Sequence, residues 1–197
     1  MSDNPIFSVV LPNFNHGNYL KESIDSVLNQ DFHNWELLII DNFSTDNSDK
    51  VISLYNDSRI SVFKIQNEGI IAKSRNLGIK KAKAKWIAFL DSDDIWYSNK
   101  LSKLVNLICL NFDIICSNEY RHDLEKGIKK PLYYNLKTDN FYSELLVKGN
   151  SLSTSSTAVR RDFLDQNKLF FNENPEFITV EDYDFWMQIA IKNGSFG

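Results

Sequence analysis

The stretch IAFLDSDDIW, Ile87–Trp96, runs four apolar residues into three carboxylates within four positions, then returns at once to Ile95 and Trp96. Four consecutive apolar residues read as a strand buried on both faces, the signature of a parallel sheet covered by helices. Asp91, Asp93 and Asp94 then stand where that strand ends. Like charges so close repel one another, so the cluster implies a partner that relieves it, either a cation or an array of hydrogen-bond donors.

Outward from this strand the chain alternates short apolar runs with amphipathic stretches of helical spacing. Upstream, FSVVLP (7–12), WELLIID (35–41) and ISVFKIQ (60–66) read as strands. Between them lie helical segments: YLKESIDSVLNQ (19–30), with Leu20, Ile24, Val27 and Leu28 on one stripe, and TDNSDKVISLY (45–55), with Ser44 or Thr45 as N-cap. IIAKSRNLGIKKAK (70–83) is a third helix and leads into WIAFLD (86–91). Downstream, NKLSKLVNLICL (99–110) buries Leu101, Leu104, Val105 and Ile108, and FDIICSNEY (112–120) is a fifth strand. Strands of this kind joined by helices form an α/β domain with right-handed crossovers. After Tyr120 the regularity weakens. RHDLEKGIKKPLYYN (121–135) is polar and loop-like, NFYSELLVK (140–148) is a short helix, SLSTSSTAVRR (151–161) precedes an edge strand, and VEDYDFWMQIAIKNG (180–194) is a last helix. No Pro/Gly/Ser linker divides the chain, so residues 1–197 read as one domain.

Composition narrows the function. With 197 residues and 43% hydrophobic content the chain can bury one real core. A net charge of -4 gives no general attraction to phosphate backbones, which argues against a nucleic-acid partner. Cys109 and Cys116 have no accompanying ligand set and are expected to be reduced and buried. No segment approaches the ~20 apolar residues of a spanning helix, and the expected location is cytoplasmic. The basic run Lys80, Lys81, Lys83 and Lys85 reads as a solvated helix face, with attraction to a membrane surface as the alternative.

In open parallel sheets ligands bind beyond the carboxyl ends of the strands, and there the polar residues gather: PNFN after the first strand, IDNFS after the second, LDSDD after the fourth. Asp41 suits hydrogen bonding to a base or ribose, or else an Asx turn. For the acid cluster a calcium loop fails, because Ile95, Trp96 and Ser102 occupy its required fifth, sixth and twelfth positions. A site in which a carboxylate holds a hard divalent cation against a diphosphate remains, beside the plainer reading of acids matched to a helix dipole.

Taken in order, VVLPNFN, IIDNFSTDNS, NEGIIAKSRNLGI, WIAFLDSDDIW and VEDYDFW resemble the family 2 glycosyltransferases with the GT-A fold, over about Phe7 to Trp186. The resemblance implies a nucleotide-sugar-binding half (6–120) and an acceptor-side half (121–197) that is truncated at its C-terminus. It implies that Pro12 and Asn13 line the nucleotide pocket, that Asp41 hydrogen-bonds the base and that Arg75 contacts the nucleotide. Asp91 would approach the ribose or donor sugar, Asp93 would ligate magnesium or manganese, and Asp94 would support the site. Asp182 would be the general base of an inverting transfer, with Glu181 beside it and Trp186 walling the acceptor pocket. Asn42 stands where that family often has a second acid, which leaves Asp41 as the sole carboxylate there. The expected activity is transfer from a nucleotide-sugar donor, UDP-linked, to a saccharide or lipid-linked saccharide hydroxyl in surface polysaccharide synthesis. A nucleotide-sugar-binding module without turnover and a nucleotidyltransferase are the alternatives, and the oligomeric state stays open.

Overall fold

The computed structural model describes residues 4–123, 126–134 and 140–197. Strands β1 (Phe7–Asn13), β2 (Trp35–Asp41), β3 (Ile60–Lys64) and β4 (Trp86–Phe89) pair in parallel. They alternate with α1 (Gly17–Leu28), α2 (Ser48–Ile52) and α3 (Ile71–Lys81), because a parallel neighbour needs a crossover rather than a hairpin. Beyond them come α4 (Lys100–Ile108), β5 (Ile114–Cys116), the antiparallel pair β6 (Glu119–Asp123) and β7 (Ile128–Leu132), α5 (Phe141–Lys148), β8 (Thr157–Arg160), α6 (Arg161–Asn167) and α7 (Glu181–Ile191). The main sheet has the order β3-β2-β1-β4-β8-β5.

Its two faces carry separate cores, since successive side chains on a strand point to opposite sides. Val10, Leu38, Ile40 and Phe89 pack with Ile79, Phe171, Phe185 and Trp186 on one side. Val9, Leu11, Leu37, Ile39 and Ala88 pack with Leu20, Ile24, Val27 and Leu101 on the other. Every residue of β1 and β2 is buried, including Ser8 and Glu36, where the Ser8 hydroxyl donates to Glu36 Oε1 at 2.6 Å.

The sheet is mostly parallel, as the apolar runs imply, with β8 antiparallel to both neighbours. Several finer expectations are corrected. β8 is not an edge strand: it lies between β4 and β5, with Ala158 and Val159 fully buried on opposite faces. The outer edge of β5 is met by Ser195–Gly197, where the Cys116 N–H donates to the Gly197 carbonyl and the Gly197 N–H to that of Ile114. The long fifth strand is in fact two, β5 and β6. The polar stretch after Tyr120 contains the β6–β7 pair, exposed along most of its length, which is why it carries no apolar pattern; Leu124, Glu125 and Asn135 of that stretch lie outside the described residues. Helix α2 is only five residues long, and its N-cap is Asn47 rather than Ser44 or Thr45. Asp46 folds the preceding turn instead, accepting from the backbone N–H groups of Gly17 and Ser48. Cys109 is exposed at the end of α4, and Cys116 is half-buried.

Helix α3, which carries Arg75, sits unusually close to β1. A Cβ added at Gly78 would lie 2.3 Å from Val10 Cγ1 and 2.8 Å from Val10 Cγ2. In an exposed helix Gly→Ala gains about 1 kcal/mol. Here Gly78→Ala is expected to lose about 1–3 kcal/mol by overpacking in a denaturant titration, and a raised midpoint would refute this contact.

Candidate active site

The chain turns one way from β1 to β2 and β3 and the other way to β4, so the carboxyl ends of β1 and β4 border a crevice. Parallel registry sets Asn13 directly opposite Asp41, and Asp91 follows β4 after one further residue. Pro12 is buried beside Asn13 on β1.

Asp41 does not face the crevice. It is fully enclosed: Oδ1 accepts from Asn13 Nδ2 at 2.8 Å and from Ser44 Oγ at 2.6 Å, while Oδ2 accepts from the Ser44 N–H at 3.1 Å and lies 3.6 Å from Lys64 Nζ. The base contact expected of it is therefore corrected, because its oxygens are already committed to holding the two loop ends together. Asn42, the next residue, lines a cavity of about 440 Å³ with Phe14, Phe43, Gln66, Glu68 and Gly69. These residues follow β1, β2 and β3. Phe43 and Glu68 hold left-handed backbones, with φ of 49° and 57°, conformations that side-chain-bearing residues adopt at a cost.

Arg75 is buried rather than displayed, with its side chain 4% exposed. Its guanidinium donates to Glu181 Oε1 at 2.7 Å and to Asp91 Oδ1 at 2.9 Å, and it lies 5.4 Å above the Phe171 ring. Burial opposes its charge, but the two carboxylates outweigh burial and leave its pKa raised. Arg75 thus ties the acid loop after β4 to the first residue of α7, and this contact replaces the expected direct contact with nucleotide.

The acid loop is braced from beneath. The Asp91 N–H donates to Ser155 Oγ at 3.0 Å, and the Trp96 indole N–H donates to the Ser155 carbonyl at 2.9 Å. Ser23 Oγ donates to the carbonyls of Ser92 and Asp94, and His16 pairs its Nδ1 with Ser92 Oγ at 2.9 Å. Asp93 and Asp94 stand exposed above this base. Desolvation, then the charges of Asp91, Asp93 and Glu119, push the Asp94 carboxyl above its ordinary range, against a hydrogen bond from Ser155. Behind the loop Lys100 is nearly enclosed, donating to Ser117 Oγ at 2.7 Å and to the Ser156 carbonyl at 3.3 Å.

On α7, Asp182 is half-exposed. Its Oδ2 accepts from Asn150 Nδ2 at 2.8 Å, and its Oδ1 from the Tyr183 N–H at 2.7 Å. Glu181 is buried against Arg75. Trp186 is fully buried in the core beside Phe185, so it walls no pocket: one turn on from Asp182, it has rotated to the inner side of the helix. Among the described residues no group of three Asp, Glu, His or Cys side chains closes into a metal site by itself. Exposed Asp93 does offer hard oxygen donors of the kind that magnesium and manganese take, with water and phosphate oxygens completing the shell.

The family model described as Glycosyl transferase family 2 matches residues 8–167. WfgD of Escherichia coli, a UDP-Glc:alpha-D-GlcNAc-diphosphoundecaprenol beta-1,3-glucosyltransferase, is 31% identical over 191 residues, covering 97% of this chain and 72% of WfgD. A glycosyltransferase of Rickettsia felis is 36% identical over 189 residues, and there the match covers 94% of this chain but 30% of the relative. Among solved structures, TarS of S. aureus residues 1-349 in complex with UDP superposes with a TM-score of 0.78 at 25% identity, over 96% of this chain and 56% of that one. The chain therefore spans about a third to a little over half the length of these two longer proteins.

Two outcomes test the electrostatics. Arg75→Met leaves Asp91 and Glu181 facing one another without a cation, and urea unfolding is expected to show a loss of about 3–5 kcal/mol, whereas a neutral result would deny the bridge. Burial pushes the Lys100 amine down to about 8 from 10.5, against Cys116, Glu119 and Asp94. Between those two values the unfolded chain binds more protons than the folded one, so the stability contribution of Lys100 rises with pH. Wild type should gain on Lys100→Met as pH is raised from 8 to 10, and parallel curves would remove the assignment.

Proposed function

The chain belongs to glycosyl transferase family 2, and from that premise we propose that it transfers a sugar, with inversion, from a UDP-linked donor to an acceptor hydroxyl. The carrying observation is the Glu181–Arg75–Asp91 bridge, which joins the helix bearing Asp182 to the loop bearing Asp93. Donor and acceptor residues on one rigid connection suit a displacement that needs both substrates in line.

In this reading Pro12, Asn13 and the cavity beside Asn42 receive the nucleoside, Phe14 and Phe43 offer faces for its base, and Asp91 meets the ribose or donor sugar. Asp94 supports the loop. Asp93 would hold a magnesium or manganese ion, which when bound supplies positive charge to the diphosphate. Asp182 accepts the proton of the acceptor hydroxyl, and Asn150 fixes the carboxylate that does so. The hydroxyl oxygen then bonds to the anomeric carbon as the bond from that carbon to the diphosphate breaks, and the electron pair leaves with the diphosphate. Attack opposite the leaving group inverts the anomeric centre.

The acceptor class, a saccharide or lipid-linked saccharide, is supported by the names of WfgD and of TuaG from Bacillus subtilis, the latter associated with teichuronic acid biosynthesis. Among the described residues no helix is long and apolar enough to cross a membrane. Exposed Lys80, Lys81, Lys83 and Lys85 would let a cytoplasmic enzyme approach an anionic inner leaflet. We read residues 1–197 as one GT-A unit, with the acceptor side in 121–197.

Released UDP should be measured with a panel of UDP-sugars and lipid-linked acceptors. Asp182→Asn is expected to lower kcat by about 10²–10⁴-fold while donor binding persists. Asp93→Ala should abolish the response of rate to manganese. Full turnover in Asp182→Asn would refute the base, and failure of every UDP-sugar to bind would refute the reading as a whole.

A further inference from the structure

We propose that Asn42 addresses the donor nucleobase as a hydrogen-bond donor, so that the base site accepts cytosine about as readily as uracil. The proposal rests on the nucleotide-donor reading above and concerns which base that cavity selects.

The orientation of the Asn42 amide is set by its neighbour. The backbone N–H of Asn67 donates to Asn42 Oδ1 at 2.9 Å. An N–H can only donate, so the oxygen must face Asn67 and the NH₂ group must face away. Asn42 is 9% exposed and lines the cavity, and among the described residues its Nδ2 has no hydrogen-bond partner. With Oδ1 held by the Asn67 N–H, the amide nitrogen is the end of Asn42 left to a ligand in the cavity that it lines.

The other polar groups nearby offer no competing fixed contact. Asn67 is bound to the protein at both ends of its amide, its Nδ2 donating to Ser74 Oγ and its Oδ1 accepting from the Gly69 N–H, and it is 5% exposed. The Glu68 carboxylate is held by Lys73 Nζ. Gln66 is exposed and free to present either end of its amide. Phe14 and Phe43, 52% and 56% exposed, supply flat apolar surface against which a base stacks without regard to its identity. Selection therefore falls to the Asn42 N–H.

Uracil carries a donor at N3 between two carbonyl acceptors, whereas cytosine carries an acceptor at N3. An N–H donor finds a partner on either ring, at O2 or O4 of uracil and at O2 or N3 of cytosine. A carboxylate in the same place would accept from uracil N3 and oppose the lone pair of cytosine N3. Asn42→Asp makes this exchange at nearly unchanged shape, since the new side chain still accepts from the Asn67 N–H, and its added charge bears on both nucleotides alike.

Calorimetric titration of UDP and of CDP, each with magnesium, into wild type and Asn42→Asp tests the inference. Wild type is expected to bind the two within about threefold. Asn42→Asp should keep UDP and weaken CDP by tenfold or more, the scale of one mismatched polar contact. A wild type that prefers UDP by more than about thirtyfold, or a ratio unchanged in Asn42→Asp, would overturn the proposal. If Asn42→Asp fails to fold, the wild-type ratio decides alone. If neither nucleotide binds wild type, the nucleotide-donor reading falls and takes this inference with it. Binding of UDP alone leaves that reading standing and removes only the inference about Asn42.

Discussion

A buried guanidinium between two carboxylates organises this molecule. Arg75 brings Asp91 and Glu181, sixteen and 106 residues away in the chain, to opposite ends of one planar cation. Glu181 would not stand so deep without it, because an unpaired buried charge costs several kcal/mol. The bridge also stands close to β1: Gly78 lets α3 approach Val10, and the approach brings Arg75 between the acid loop and α7. A packing detail at one glycine thus sets where two charged segments meet.

From that bridge follows a division among the acids. Asp41 and Glu181 are enclosed and bond to the protein, Asp41 closing strand ends and Glu181 anchoring a helix through Oε1. Asp93 and Asp182 are the solvent-facing members, each adjacent in sequence to a part of the braced framework. The enclosed acids set position, and in the proposed reaction the exposed ones carry the chemistry. Ser155 completes the arrangement by receiving the Asp91 N–H from a turn far along the chain, so the acid loop is held from both halves.

Much of this architecture was legible because β1, β2 and β4 are apolar but for Ser8 and Glu36 and end in abrupt polar runs. Such strands admit one environment, and their carboxyl ends locate a crevice whatever the loops do. The later half was less legible for the converse reason. β8 is four residues of small and branched side chains after a Ser/Thr run, and its place inside the sheet depends on antiparallel partners that local pattern does not encode. The exposed β6–β7 pair has no buried face to generate alternation. In the candidate site, the motifs place their polar residues at the carboxyl ends of β1, β2 and β4 but do not give the direction of each side chain. Asp41 and Asn42 are neighbours with opposite orientations, and only the partners of each, Asn13 and Asn67, show which one is free.

The buried fate of Trp186 follows from the same geometry. Asp182 lies in the first turn of α7, where acids favour the helix dipole and solvent. A residue four positions on is close along the axis but about 40° further round, which on a half-buried helix separates surface from core. Trp186 accordingly packs with Phe185 and Phe171, and Phe171 in turn lies beneath the Arg75 guanidinium. The aromatic expected to shape the acceptor pocket instead supports the cation that fixes the helix carrying Asp182. In the proposed reaction its influence would run through position rather than contact.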